Sequence, residues 1–314
     1  MMSPFKRYLA EEVAHDHADG LIPRREALRR LGLLGLGLPA ASALLAACGA
    51  PAPSGPAAPP ATTATATEPG TGTGAQPTPT AAPVGPSPLP AENITFPGPE
   101  GAALKGAWAP AEKAKGAVLV IHENRGLNDH TRSVAGRLAA SGYSALAPDL
   151  LSRAGGTDSF SDTAQATAKL GEITPAQFTA DLKASLTELQ NRAKGRKLGM
   201  AGFCFGGGMT WLLLSSSEPR LSAAVPFYGP LPANADMSGS TAAVLGIYAE
   251  QDQRVNATRD AAKAALEKAG LTHEIATFAG AGHAFFNDTG QRYNPTAAAE
   301  AWERLIAWFD RYLG

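Results

Sequence analysis

Residues 117–121, Ala-Val-Leu-Val-Ile, offer no polar position to water, so a strand made from them must be covered on both faces. Segments 144–147, 197–202, 222–227 and 243–249 are short strands of the same apolar kind. Segments 93–96, 103–108 and 273–278 complete the set. Helical stretches stand between them. Asp129 caps one that runs to about Ser141 and ends at Gly142. Thr174-Pro175-x-Gln177 is a capping box with proline at the first helical position, opening a helix to about Arg192. Segments 207–215, 256–269 and 296–312 supply three more. Strands alternating with helices predict an α/β fold: a mostly parallel central sheet with helices on both faces.

That pattern begins only at residue 91. Of the 25 prolines, twelve fall within residues 49–90, among Ala, Thr, Gly and Ser, with Glu68 as the lone charge. Such a stretch buries too little surface to offset chain entropy, and residues 48–90 read as an extended tether. The chain therefore divides into residues 1–47, the tether 48–90 and one domain, 91–314, with the first ninety residues outside the fold. Over all 314 residues, Lys+Arg 27 against Asp+Glu 28 leaves no basic surface for nucleic acid. Two cysteines exclude a disulfide-stapled fold and a multi-cysteine zinc site.

Residues 1–47 carry the marks of export. A basic stretch, Arg24 to Arg30, precedes seventeen uncharged residues, 31–47, and Cys48 follows directly. The run is short for a spanning helix, which needs roughly 20 residues. Arg24-Arg25-x-x-Leu28-Arg29 resembles a twin-arginine signal. Leu45-Ala46-Ala47-Cys48 resembles a bacterial lipobox, which implies cleavage before Cys48 and its lipidation. The expectation is an exported lipoprotein of the cell envelope, held to the membrane through Cys48 with its domain outside the cytoplasm.

Gly202-Phe203-Cys204-Phe205-Gly206 joins a strand to a helix. This is the G-x-nucleophile-x-G elbow with cysteine in the nucleophile position. The turn lifts the side chain above the sheet, the Phe205 N–H points to where an oxyanion would form, and the helix dipole lowers a thiol pKa. The arrangement calls for an acid and then a histidine further along the chain. Asp252 lies just past the strand 243–249, with Glu250 as the competing acid. His283 lies on a Gly-rich loop before the last helix, whereas His273 begins a strand. The loop after 117–121 supplies the second oxyanion donor.

Beyond the elbow, the residues His122-Glu123-Asn124-Arg125-Gly126, Ala147-Pro148-Asp149-Leu150, Pro226-Phe227-Tyr228-Gly229 and His283-Ala284-Phe285 stand in fixed order around Gly202–Gly207. In that order and spacing, residues 95–314 resemble the dienelactone hydrolase family (carboxymethylenebutenolidases). The resemblance implies an α/β-hydrolase fold, a triad of Cys204, His283 and Asp252, and no metal or cofactor. It implies that Glu123 holds the resting thiol and swings away when substrate binds, and that the Asn124 N–H is the second oxyanion donor. It also implies that Arg153 binds a substrate carboxylate. A second carboxylate-binding arginine of the family falls at Asn287, where Arg125 or Arg254 would have to compensate. Glu123 could instead pair with Arg125, Arg153 could be a solvated loop residue, and Tyr228 could face the site or pack in the core. The expected activity is hydrolysis of a small ester or lactone by a monomer. The alternatives are a general carboxylesterase or thioesterase and a non-catalytic binding lipoprotein.

Overall fold

The computed structural model describes residues 2–48 and 83–314. Its strands are β1 (Glu92–Pro97), β2 (Ala103–Ala109), β3 (Gly116–Ile121), β4 (Tyr143–Pro148), β5 (Leu198–Phe203), β6 (Leu221–Phe227), β7 (Ala243–Ala249) and β8 (His273–Phe278). They form one eight-stranded sheet in the order β1-β2-β4-β3-β5-β6-β7-β8. Only the β1–β2 and β2–β4 pairs are antiparallel, and the remaining pairs run parallel. Every residue of β3, β4, β5 and β7 is buried, as continuous apolar runs require.

The helices are α1 (Pro4–Ala18), α2 (Arg24–Leu33), α3 (Leu38–Cys48), α4 (Asp129–Ala140), α5 (Thr163–Leu170), α6 (Pro175–Arg192), α7 (Phe205–Leu214), α8 (Gln253–Asn256), α9 (Arg259–Lys268) and α10 (Pro295–Tyr312). α4 lies along β2–β4, α10 along β6 and β7, and α6 and α7 pack on each other over β3 and β5. Thr174 caps α6 through the Gln177 N–H at 3.2 Å, as the sequence predicts. The cap of α4 is Asn128, one residue before the expected Asp129, because its Oδ1 accepts the Thr131 N–H. α5, absent from the expected helices, is capped by Asp162, whose carboxylate accepts the Ala164 N–H at 2.8 Å.

The N-terminal segment differs from the expectation that it stands outside the fold. α1, α2 and α3 pack on one another, and α1 and α2 also pack on α5. The cause is a stripe along α1. Phe5, Tyr8, Leu9, Glu12, Val13 and Asp16 recur at helical spacing and are all buried. Ser3 caps this helix through the Lys6 N–H, and Pro4 starts it. Of the tether expected over 48–90, residues 49–82 lie outside the described residues. Its last part lies on the domain. The Leu89 N–H donates to the Gly136 carbonyl at 3.0 Å, and the Val84 carbonyl accepts from Arg137. Gly136 has no side chain to hold that extended segment off α4.

Candidate active site

β5 ends at Phe203 and α7 begins at Phe205, so Cys204 alone turns the chain. It does so at φ 55°, ψ −115°, a conformation that costs a non-glycine residue strain. A Cβ on Gly202 would strike the Gly206 carbonyl, and one on Gly206 would strike the Ile121 carbonyl, so the elbow tolerates side chains only between them. The Cys204 N–H is tied to the Phe227 carbonyl at 3.1 Å. Sγ therefore stands at the C-terminal edge of the parallel strands and at the start of α7. Phe205 is in the first turn of α7, where an N–H has no acceptor within the helix.

Two further strand ends bring the partners. Asp252 follows β7 and caps α8 through the Val255 N–H at 3.2 Å. His283 follows β8 and meets Asp252 Oδ2 through Nδ1 at 2.5 Å. The competing acid, Glu250, is turned away and accepts the Gly280 N–H at 2.8 Å. Cys204 Sγ and a ring nitrogen of His283 lie within 4.8 Å of each other. His273 is absent from this group and bonds the Leu271 carbonyl.

Two residues of α1 complete the cluster. The Tyr8 hydroxyl hydrogen-bonds Cys204 Sγ at 3.3 Å. Glu12 Oε1 lies 3.3 Å from His283 Nε2, and Glu12 Oε2 pairs closely with Arg254. Nothing about residues 1–30 as an export segment points to this site. The signal that could have found them is the capped apolar stripe of α1, interrupted by Glu12 and Asp16. Glu12, Cys204 and His283 together are also a donor set that could hold a metal ion, with its ligand atoms within 4.8 Å of one another.

The charges follow from this packing. Burial alone would lower the His283 imidazole, but Glu12, Asp252 and Cys204 outweigh it and hold the ring protonated well above its usual range. Burial would raise the Asp252 carboxyl, and His283 holds it below its ordinary value. Burial pushes the Cys204 thiol up, Glu12 adds to that, and His283 opposes them without prevailing. With α1 in place, the nucleophile candidate is a protonated thiol under a tyrosine.

The remaining expected site residues divide. Glu123 is buried, and its Oε2 accepts from the Asn287 amide at 2.7 Å. Its Oε1 has no hydrogen-bond partner among the described residues. The group touching the sulfur is Tyr8. Glu123, Asn124, Arg125 and Asn287 line a cavity of about 80 Å³ together with Glu12, Asp16 and Leu21 of the N-terminal segment. Tyr228 does both things left open for it: fully buried, it sets its ring against His283 with centroids 5.2 Å apart. Arg153 is not brought to this group. It grips both oxygens of Asp181 on α6 and reaches the Pro99 carbonyl. Cys48 ends α3, half-buried.

Eight strands in this order, with a cysteine elbow after β5 and an acid and a histidine at later strand ends, define an α/β hydrolase. The model of the dienelactone hydrolase family matches residues 104–313, and the chain belongs to that family. The carboxymethylenebutenolidase homologue of Salmonella typhi is 34% identical over 214 residues, covering 63% of this chain and 77% of its own. The homologue from Saccharolobus solfataricus is 31% identical over 258 residues, covering 70% of this chain and 98% of its own. Among solved structures, a dienelactone hydrolase homologue of Klebsiella pneumoniae superposes with TM-score 0.60 at 30% identity, covering 71% of this chain and 99% of its own. The family span leaves α1–α3 outside it.

Proposed function

We propose that the chain cleaves a small ester or lactone through a thioacyl intermediate on Cys204. The observation that carries this reading is the strained cysteine at the start of α7, backed by His283 and, at 2.5 Å behind it, Asp252. With α1 displaced and Glu12 no longer holding a proton on the ring, neutral His283 takes the thiol proton, and Asp252 fixes the ring and stabilises its charge. The thiolate adds to the substrate carbonyl, and the oxyanion is met by the Phe205 and Asn124 N–H groups. As the carbon–oxygen bond breaks, the imidazolium returns the proton to the leaving alkoxide. Water, deprotonated by His283, then hydrolyses the thioester and restores the thiol. Glu123, beside the site and with one oxygen unpartnered among the described residues, is the second carboxylate able to exchange a proton with the thiol.

The test is hydrolysis of p-nitrophenyl acetate and of a dienelactone by the Tyr8→Ala/Glu12→Ala chain, in which α1 no longer holds Cys204 and His283, with and without Cys204→Ala. Turnover is expected to disappear with Cys204→Ala. Equal rates in both would contradict the reading. The neutral amide at position 287 favours a second reading, an esterase with no carboxylate requirement, which would cleave the neutral ester and leave the dienelactone.

We infer the address of the protein from residues 1–48. Export by a twin-arginine route, with cleavage before Cys48 and its lipidation, is supported by the uncharged run 31–47. The exposed Arg24 and Arg25 side chains, accessible on the folded chain, support it too.

A further inference from the structure

α1 lies in the site as a ligand would. Tyr8 sits on the sulfur at 3.3 Å, and attack on a carbonyl needs its carbon at about that distance, roughly 3–3.5 Å. Glu12 Oε1 lies 3.3 Å from His283 Nε2 as an ion-pair contact without a hydrogen bond, beside the nitrogen that must exchange protons with thiol, leaving group and water. Phe5 sets its edge on Phe205, the residue whose N–H faces the oxyanion, with ring centroids 5.9 Å apart.

The seat of Glu12 is itself built for an anion. The Arg254 guanidinium lies 4.4 Å over the Tyr8 ring, and its side chain is only 11% exposed. Its Nε and Nη1 have no hydrogen-bond partner among the described residues. A buried cation with unused donors beside a nucleophile is costly unless an anion meets it. Glu12 is that anion when α1 is docked, one oxygen on Arg254 and the other on His283.

We propose that α1 is a built-in occupant of the substrate site, and that Glu12 stands where Arg254 receives the carboxylate of an acidic ester or lactone. The inference rests on Cys204 being the nucleophile. The full chain is then latent while α1 is docked. On the export reading above, cleavage before Cys48 removes α1, α2 and all of α3 but its last residue, and uncovers the site where the enzyme is to act.

The experiment uses the full chain with Cys48→Ser, which leaves Cys204 as its single thiol. Tyr8→Ala/Glu12→Ala in that background is expected to raise the iodoacetamide alkylation rate of Cys204 about tenfold or more, and ester hydrolysis with it. Glu12→Gln, which preserves packing, should move both in the same direction. Adding Arg254→Gln to the opened variant is expected to raise the KM of a carboxylate-bearing ester relative to that of p-nitrophenyl acetate. Unchanged alkylation in both the double variant and Glu12→Gln would overturn the occupant role. An unchanged KM ratio would overturn the role of Arg254. Faster alkylation without any hydrolysis would uphold α1 as the occupant and refute Cys204 as the nucleophile instead.

Discussion

The reactivity of Cys204 is a balance between burial and Glu12, which raise its pKa, and His283, which lowers it. Glu12 is held ionised below its ordinary value. Burial opposes this, but His283 first and then Arg254 and Arg292 outweigh burial and Asp252, and Glu12 in turn raises the neighbouring Tyr8 and Asp16. Its share of the docking energy is therefore present above the usual carboxylate range and is lost as pH falls through the depressed value. The share of His283 is present below its unperturbed value, about 6.5, and is lost as pH rises through the raised one. Removing Glu12 deletes one raising cause, and opening the site admits water and weakens the other. The alkylation profile of Cys204 in Tyr8→Ala/Glu12→Ala should therefore shift to lower pH than in the parent. Coincident midpoints would contradict this balance. Cys204, Asp252 and His283 are legible in the sequence because chain order restricts them to the ends of successive strands. Tyr8 is not legible there, because its contact spans 196 positions and no local pattern says where an amphipathic helix docks.

At the scale of elements, the alternation of buried runs and capped helices predicts a mostly parallel sheet without reference to the site, and the strand order is not part of that pattern. What it leaves open is which loop side chains point inward. Arg153 shows why. Its place after Asp149-Leu150 suggests a substrate contact, but the partner that decides its direction, Asp181, lies 28 residues on, on the buried face of α6. Arg153→Ala leaves that carboxylate, 8% exposed, without its bidentate donor. A loss of about 1–3 kcal/mol in urea unfolding is expected, with the KM for an acidic ester held within about twofold. A large rise in KM with no loss of stability would instead return Arg153 to substrate recognition. The stripe of α1 was equally present in the sequence. The adjoining basic and apolar stretches mask it, because they fit an export segment whether or not that segment is also folded.

At the scale of the whole molecule, one hydrolase domain is covered by helices that stand outside the family span. The export reading and the occupancy of the site then describe one device, in which location and activity change with the same cleavage. Mass spectrometry of the membrane fraction should find the chain beginning at a lipid-modified Cys48. A full-length, unmodified chain in the soluble fraction would contradict the export reading while leaving the chemistry intact. The chemistry itself stands on Cys204. Its most direct test is to quench the opened variant, Tyr8→Ala/Glu12→Ala, during turnover of p-nitrophenyl acetate and map the acetyl group by peptide mass spectrometry. The account predicts a thioester on Cys204 that decays as product forms. Steady hydrolysis with no acetyl group on Cys204, undiminished by Cys204→Ala, would contradict it.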